Sequence, residues 1–158
     1  MIRAGQIVSA VASAIETDAA VLKLCKRYND APKLHVGHVA DEVLQPEDQS
    51  AHIAVGYADE TYDMGYTGQD REVPILLRVV LADPEAVEDG RRTEYVGPMM
   101  LDQLCDAIIT AIKAISGLGD ELAKAAVTME TSESWPVCKA KIDCMFRLSR
   151  GTAFEPAI

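Results

Sequence analysis

The spacing of hydrophobic positions changes along this chain, from helical steps near the N-terminus to strict alternation near the C-terminus. Ile7, Val8, Val11 and Ile15 recur every three or four residues and predict an amphipathic helix from Ala4 to Glu16. Thr17 or Asp18 is a candidate N-cap for a second, short helix, Ala19 to Arg27, with Val21, Leu22 and Cys25 turned inward. Asn29-Asp30 and Pro32 end it. Lys33 to Val39 is a short strand candidate, Gln45 to Ser50 a loop, and His52 to Tyr57 a strand with Ile53, Val55 and Tyr57 on one face. The polar stretch Ala58 to Glu72 reads as a long loop or hairpin tip.

Val73 to Leu81 carries the clearest strand signal. Val73, Ile75, Leu77, Val79 and Leu81 line one face, and Leu76 and Val80 add apolar surface to the other. A strand that is apolar on both sides belongs mid-sheet, with a helix or another subunit against each face. Asp83-Pro84 and Asp89-Gly90 punctuate a second acidic loop, and the main helix begins at about Arg92 or Pro98 and runs to Ile115. Its stripe is Leu101, Leu104, Cys105, Ile108, Ile112 and Ile115, with Ser116-Gly117 as the stop. Ala125 to Thr131 and Pro136 to Ser149 complete the strands; the second alternates Cys138, Ala140, Ile142, Cys144, Phe146 and Leu148 with polar positions over an unusual length. The order is α-α-β-β-β-α-β-β. It predicts an α+β fold: a mostly antiparallel sheet, a long helix packed on one face and an N-terminal helical segment. One domain is expected over residues 1–150, with a flexible tail at 151–158.

Composition supports that picture and narrows the chemistry. The chain has 158 residues, 49% hydrophobic and only 5% aromatic, so its core must be aliphatic. Twenty-five acidic against fifteen basic residues give a net charge of −10, which argues against general nucleic-acid binding. Gln6, Ser9, Ser13 and Glu16 interrupt the apolar N-terminus, and no segment has the roughly 20 apolar residues of a membrane span. Cys25, Cys105, Cys138 and Cys144 form no C-x-x-C pair, as expected of reduced thiols in a cytoplasmic protein.

Candidate chemistry is sparse. His35 and His38, with Asp41 and His52 nearby, suggest a metal, but three-residue spacing on a strand sends His35 and His38 to opposite faces. The acidic run from Asp59 to Asp70 has Met64 where a calcium loop needs Gly and Asp70 where it needs Glu. Cys138 and Cys144, six residues apart on one strand, are about 20 Å apart and cannot form a disulfide. There is no G-x-S-x-G elbow, and Gly117 and Gly119 follow a helix instead of opening one. No catalytic, cofactor or metal residue is therefore assigned. What remains is a charge pattern: Lys139, Lys141, Arg147 and nearby Arg150 sit opposite Asp143 alone on the outer strand face. The loop Ala58 to Glu72, with Asp59, Glu60, Asp63, Asp70 and Glu72 against Arg71, carries −4. An acidic protrusion and a basic strand face suit head-to-tail self-association, with simple solvation of both the alternative.

The layout as a whole resembles the tail terminator (tail completion) proteins of tailed bacteriophages and their prophage relatives. The matching segments are the helix break at Glu16-Thr17-Asp18-Ala19, the strand His52-Ile53-Ala54-Val55 and the strand Val73 to Val80 beyond a polar loop. The single helix around Leu101 to Ile108 and the closing strand Cys138 to Arg147 follow. The resemblance implies a non-enzymatic homo-oligomeric ring, commonly a hexamer, that caps the tail tube, stops its polymerisation and offers a docking surface to the head connector. It further implies a life in the host cytoplasm during assembly and then in the virion tail. In that setting Asp59, Glu60, Asp63, Asp70, Leu76, Val80, Lys139, Lys141, Arg147 and Arg150 are interface candidates, and the acidic character suits a channel through which DNA slides. A neck or head–tail connector protein and a small ligand-binding module, with a pocket near His35, His52 and Tyr57, are the alternatives. An enzyme using acidic-loop carboxylates is the weakest.

Overall fold

The computed structural model describes residues 2–28, 31–37, 49–58, 70–130, 135–149 and 151–155. Helix α1 spans Ala4–Thr17 and α2 Ala19–Cys25, divided at Asp18, whose carboxylate accepts the Val21 N–H at 3.0 Å. Of the two candidate caps, Asp18 is the one used. Helix α1 opens with a one-sided cap, in which the Gln6 side chain accepts the Arg3 N–H at 2.7 Å.

Strands β1 (Lys33–Val36), β2 (Ala51–Tyr57) and β3 (Asp70–Ala82) follow, then a ribbon of β4 (Ala86–Asp89) and β5 (Arg92–Tyr95). Helix α3 (Val96–Lys113) leads through a short 3-10 turn, Gly119–Glu121, to β6 (Leu122–Glu130) and β7 (Val137–Ser149). The main sheet has the order β1-β2-β3-β7-β6, antiparallel throughout except for the parallel pair β1–β2. The architecture is the expected α+β fold. The apolar strand β3 is the middle one, as its two-sided pattern requires.

All three helices pack on one face of the sheet. Ile7, Val11 and Ile15 of α1 and Leu101, Leu104, Ile108 and Ile112 of α3 meet Ile75, Leu77, Val79, Ile142 and Phe146 in one core cluster. Each such side chain contributes about 1.5–3 kcal/mol when taken fully out of water, so the alternation in β3 and β7 accounts for much of the stability.

The structure departs from the sequence expectation in several places. The strand β3 begins at Asp70, taking Asp70, Arg71 and Glu72 out of the presumed loop. Arg71 is buried on the core side, where it donates to the Ile2 carbonyl. The presumed second acidic loop is the β4–β5 ribbon, while α3 starts at Val96, between the two expected starts. The tail, finally, is not wholly loose: Phe154 packs against the core, and a Cβ at Gly117 (φ 74°) would meet the Ala153 carbonyl at 2.8 Å. No helix among the described residues is long and apolar enough to cross a membrane.

Candidate functional site

Because side chains alternate along strands, the sheet register assigns each residue to the helix-covered face or the outer face. The outer face carries Lys33, Arg78, Lys124, Lys139, Lys141 and Arg147 against Asp70, Glu72, Glu130 and Asp143. Six cations against four carboxylates make this face +2 on a chain of −10, leaving −12 for everything else. Among the described residues, Glu130 lies 4.0 Å from Arg78 and 3.9 Å from Lys141, while Arg147 donates to Glu72 at 3.1 Å. The exposed pair of Arg147 and Glu72 contributes about 0–1 kcal/mol.

The structure thus brings Asp70, Leu76, Val80, Lys139, Lys141 and Arg147 onto one surface. Leu76 and Val80 are not exposed there: they retain 7% and 1% of their accessible surface. Val80 packs with Ala54 and Val137, and its register partners are His52 and Lys139, whose larger side chains flank it. Neither apolar residue needs a second subunit to cover it, which corrects the expectation for both. Asp59, Glu60, Asp63 and Arg150 lie outside the described residues.

Two side-chain groupings emerge, of which the sequence indicated only the nearness of His35 to His52. On the outer face the His35 and His52 rings stack at 5.4 Å between centroids and 14° between planes. His35 Nε2 lies 3.1 Å from His52 Nδ1, a distance at which one nitrogen donates and the other accepts. Their meeting follows from the parallel β1–β2 register, which sets His35 beside Ala54, two residues from His52. His38 falls outside the described residues, and among those described no group of three or more His, Cys, Asp or Glu is placed to hold a metal.

The second grouping centres on Asp83, which has no exposed surface. Arg27 Nε donates to Oδ2 at 2.7 Å and Arg27 Nη2 to Oδ1 at 3.2 Å, while the Tyr28 hydroxyl donates to Oδ2 at 2.6 Å. The Glu85 N–H donates to Oδ1 at 3.0 Å, and the Glu85 carboxylate pairs with Arg27 from the other side. Burial opposes the charge on Asp83, but the Arg27 and Tyr28 hydrogen bonds outweigh it and hold its carboxyl below the usual carboxylate range. The hydrogen bond to Asp83 likewise raises the Arg27 pKa above its ordinary value. This cluster ties the end of α2 to the start of the β4–β5 ribbon. It satisfies its own hydrogen bonds and is structural.

Two surface features remain. All eight strand residues of the β4–β5 ribbon are exposed, with Gly90 at φ 62° in its turn, as primed hairpin turns require. Beside it lies an apolar cleft of about 340 Å³ lined by Tyr95, Pro98, Leu101, Met129, Trp135, Val137 and Cys138, with Tyr95 and Trp135 in edge-to-face contact. The only pocket foreseen in sequence was placed near His35, His52 and Tyr57. The cleft is elsewhere, because Trp135 and Tyr95 come from two segments 40 positions apart. No protein-family model and no curated protein matches this chain.

Proposed function

We propose that this chain is a non-enzymatic assembly protein of the tail-terminator kind: a ring-forming subunit that caps a tail tube, ends its polymerisation and receives the head connector. The observation that carries this reading is the charge segregation. A +2 sheet face on a molecule whose remaining residues total −12 favours head-to-tail association of neighbouring copies, the heterologous arrangement from which rings are built. The projecting ribbon supports it too. A two-stranded hairpin whose strand residues are all exposed is marginally stable in water, and Val87 on it is exposed, so docking against another chain would stabilise it.

Light scattering coupled to size exclusion at several concentrations tests the proposal. Six copies of 17.1 kDa give a species of about 103 kDa that falls apart on dilution or in high salt. A monomer at every concentration that never caps a tail tube defeats it.

The Tyr95–Trp135 cleft favours a second reading, a small module that binds an apolar ligand. A ligand-dependent rise in melting temperature without any change of mass would support that alternative.

A further inference from the structure

Among the described residues, the two edge strands of the main sheet, β1 and β6, match one another. Four rows of register partners run unbroken from β1 through β2, β3 and β7 to β6. The first starts at Lys33 and ends at Glu130; the second joins Leu34 to Met129, and the fourth joins Val36 to Val127. Opposite charges therefore end one row, and apolar pairs end two others.

Strand sense matches as well. β1 runs parallel to β2, and the three later pairings are antiparallel, so β6 runs opposite to β1. Setting β6 of one copy beside β1 of another in the plane of the sheet makes an antiparallel pair, the more stable kind.

The outermost apolar residues of the fourth row are left in water. Val36 is 54% exposed and Val127 38% exposed, although they share a row with Val55, Leu77 and Ile142, which are fully buried. The β6 edge is guarded against pairing at its ends alone, by the irregularity between Leu122 and Lys124 and by the charges of Lys124 and Glu130. Its central residues, Ala125 to Met129, include no charge and no proline.

We propose that these two edges are the two halves of one heterologous interface, β6 of one copy pairing with β1 of the next, Val127 against Val36 and Glu130 against Lys33. This rests on the ring reading above and specifies how the ring is joined. Each copy uses a different edge on its left and right, as a closed ring of identical subunits requires. Opposed residues in such a pair have Cα atoms about 4.5–5.5 Å apart, within disulfide range.

The test uses the full chain with Val36→Cys and Val127→Cys, singly and together. The four native thiols are buried, and both new positions face solvent. After mild oxidation, a mixture of the two single variants gives a disulfide-linked dimer on a denaturing gel, each variant alone stays monomeric, and the double variant gives a ladder ending at the ring. Amide exchange on the unmodified chain slows at 33–36 and 122–130 together on assembly. Cross-linking of Val127→Cys with itself would overturn the proposal in favour of a symmetric β6–β6 dimer. An assembled mass with neither cross-link nor protection at either edge would also overturn it while leaving the ring standing. A monomer at all concentrations would remove the ring and this interface together.

Discussion

Tyr28 and Asp83, 55 positions apart, meet in a 2.6 Å hydrogen bond from the phenol to a carboxylate that has no exposed surface. With Arg27 as the second donor, this contact fastens the α2 terminus to the ribbon that projects from the sheet. Replacing Asp83 by Ala leaves a guanidinium, a phenol and a backbone N–H without their acceptor, and costs about 3 kcal/mol. Tyr28→Phe removes one donor alone and costs about 1 kcal/mol. Urea denaturation of the two variants checks both the order and the gap.

The same carboxylate gives an acid dependence of definite sign. Its pKa in the folded chain lies below the unfolded value of about 3.9, so its stabilisation is complete above that pH. Stability is lost as pH falls through the lower folded pKa. Asp83→Asn should flatten the decline in melting temperature below about pH 4 relative to the parent chain. An unchanged acid limb in the variant would show that other carboxyls govern it.

The four cysteines predict an alkaline dependence of opposite sign. Burial pushes the Cys25 thiol up to about 11 and those of Cys105 and Cys144 up to about 12, and it raises Cys138 as well. Their contribution is intact below the unfolded pKa of about 8.5 and drains away as pH rises toward the folded values. In the native state a thiol reagent at pH 8 should label none of the four quickly, and all four once urea unfolds the chain. Fast native labelling would mean that the core opens locally.

Gly119 tests the turn that leads from α3 into β6. A Cβ there would sit 1.9 Å from the Lys113 carbonyl oxygen, a backbone atom that cannot swing aside. Gly119→Ala should cost about 3 kcal/mol, seen as a lowered denaturation midpoint with an unchanged slope. Gly90→Ala, in the exposed ribbon, meets no neighbouring atom and pays only for its positive φ, about 1 kcal/mol.

The outer sheet face separates stability from assembly. Lys139→Glu together with Lys141→Glu should leave the melting temperature of the monomer within about 2 °C. The double change reverses the sign of the face from +2 to −2 and should weaken self-association. Sedimentation at low salt reads the effect, which shrinks as salt screens the charges.

What could be read in the sequence follows from burial. β3, β7 and α3 were legible because each presents a long apolar stripe to one core, and their periods of 2.0 and 3.6 survive in the pattern. The β4–β5 ribbon was read as a loop because all eight of its residues face water, so no alternation marks it. Its Asp89-Gly90 pair was the available hairpin signal. Leu76 and Val80 were correctly seen as a second apolar side of β3, but sequence could not show that the chain itself buries them. The His35–His52 stack and the Arg27–Asp83 cluster depend on the β1–β2 register and on a contact across 56 positions. Local pattern carries neither. The two matched sheet edges were hidden for the same reason, since only the register of five strands aligns Val36 with Val127.

Electron microscopy of the purified chain at high concentration and low salt tests the central claim most directly. Closed rings of six subunits around a hole wide enough for duplex DNA are the expected result, sitting on the ends of tail tubes when these are added. Monodisperse particles of a single 17.1 kDa chain under all these conditions would contradict it.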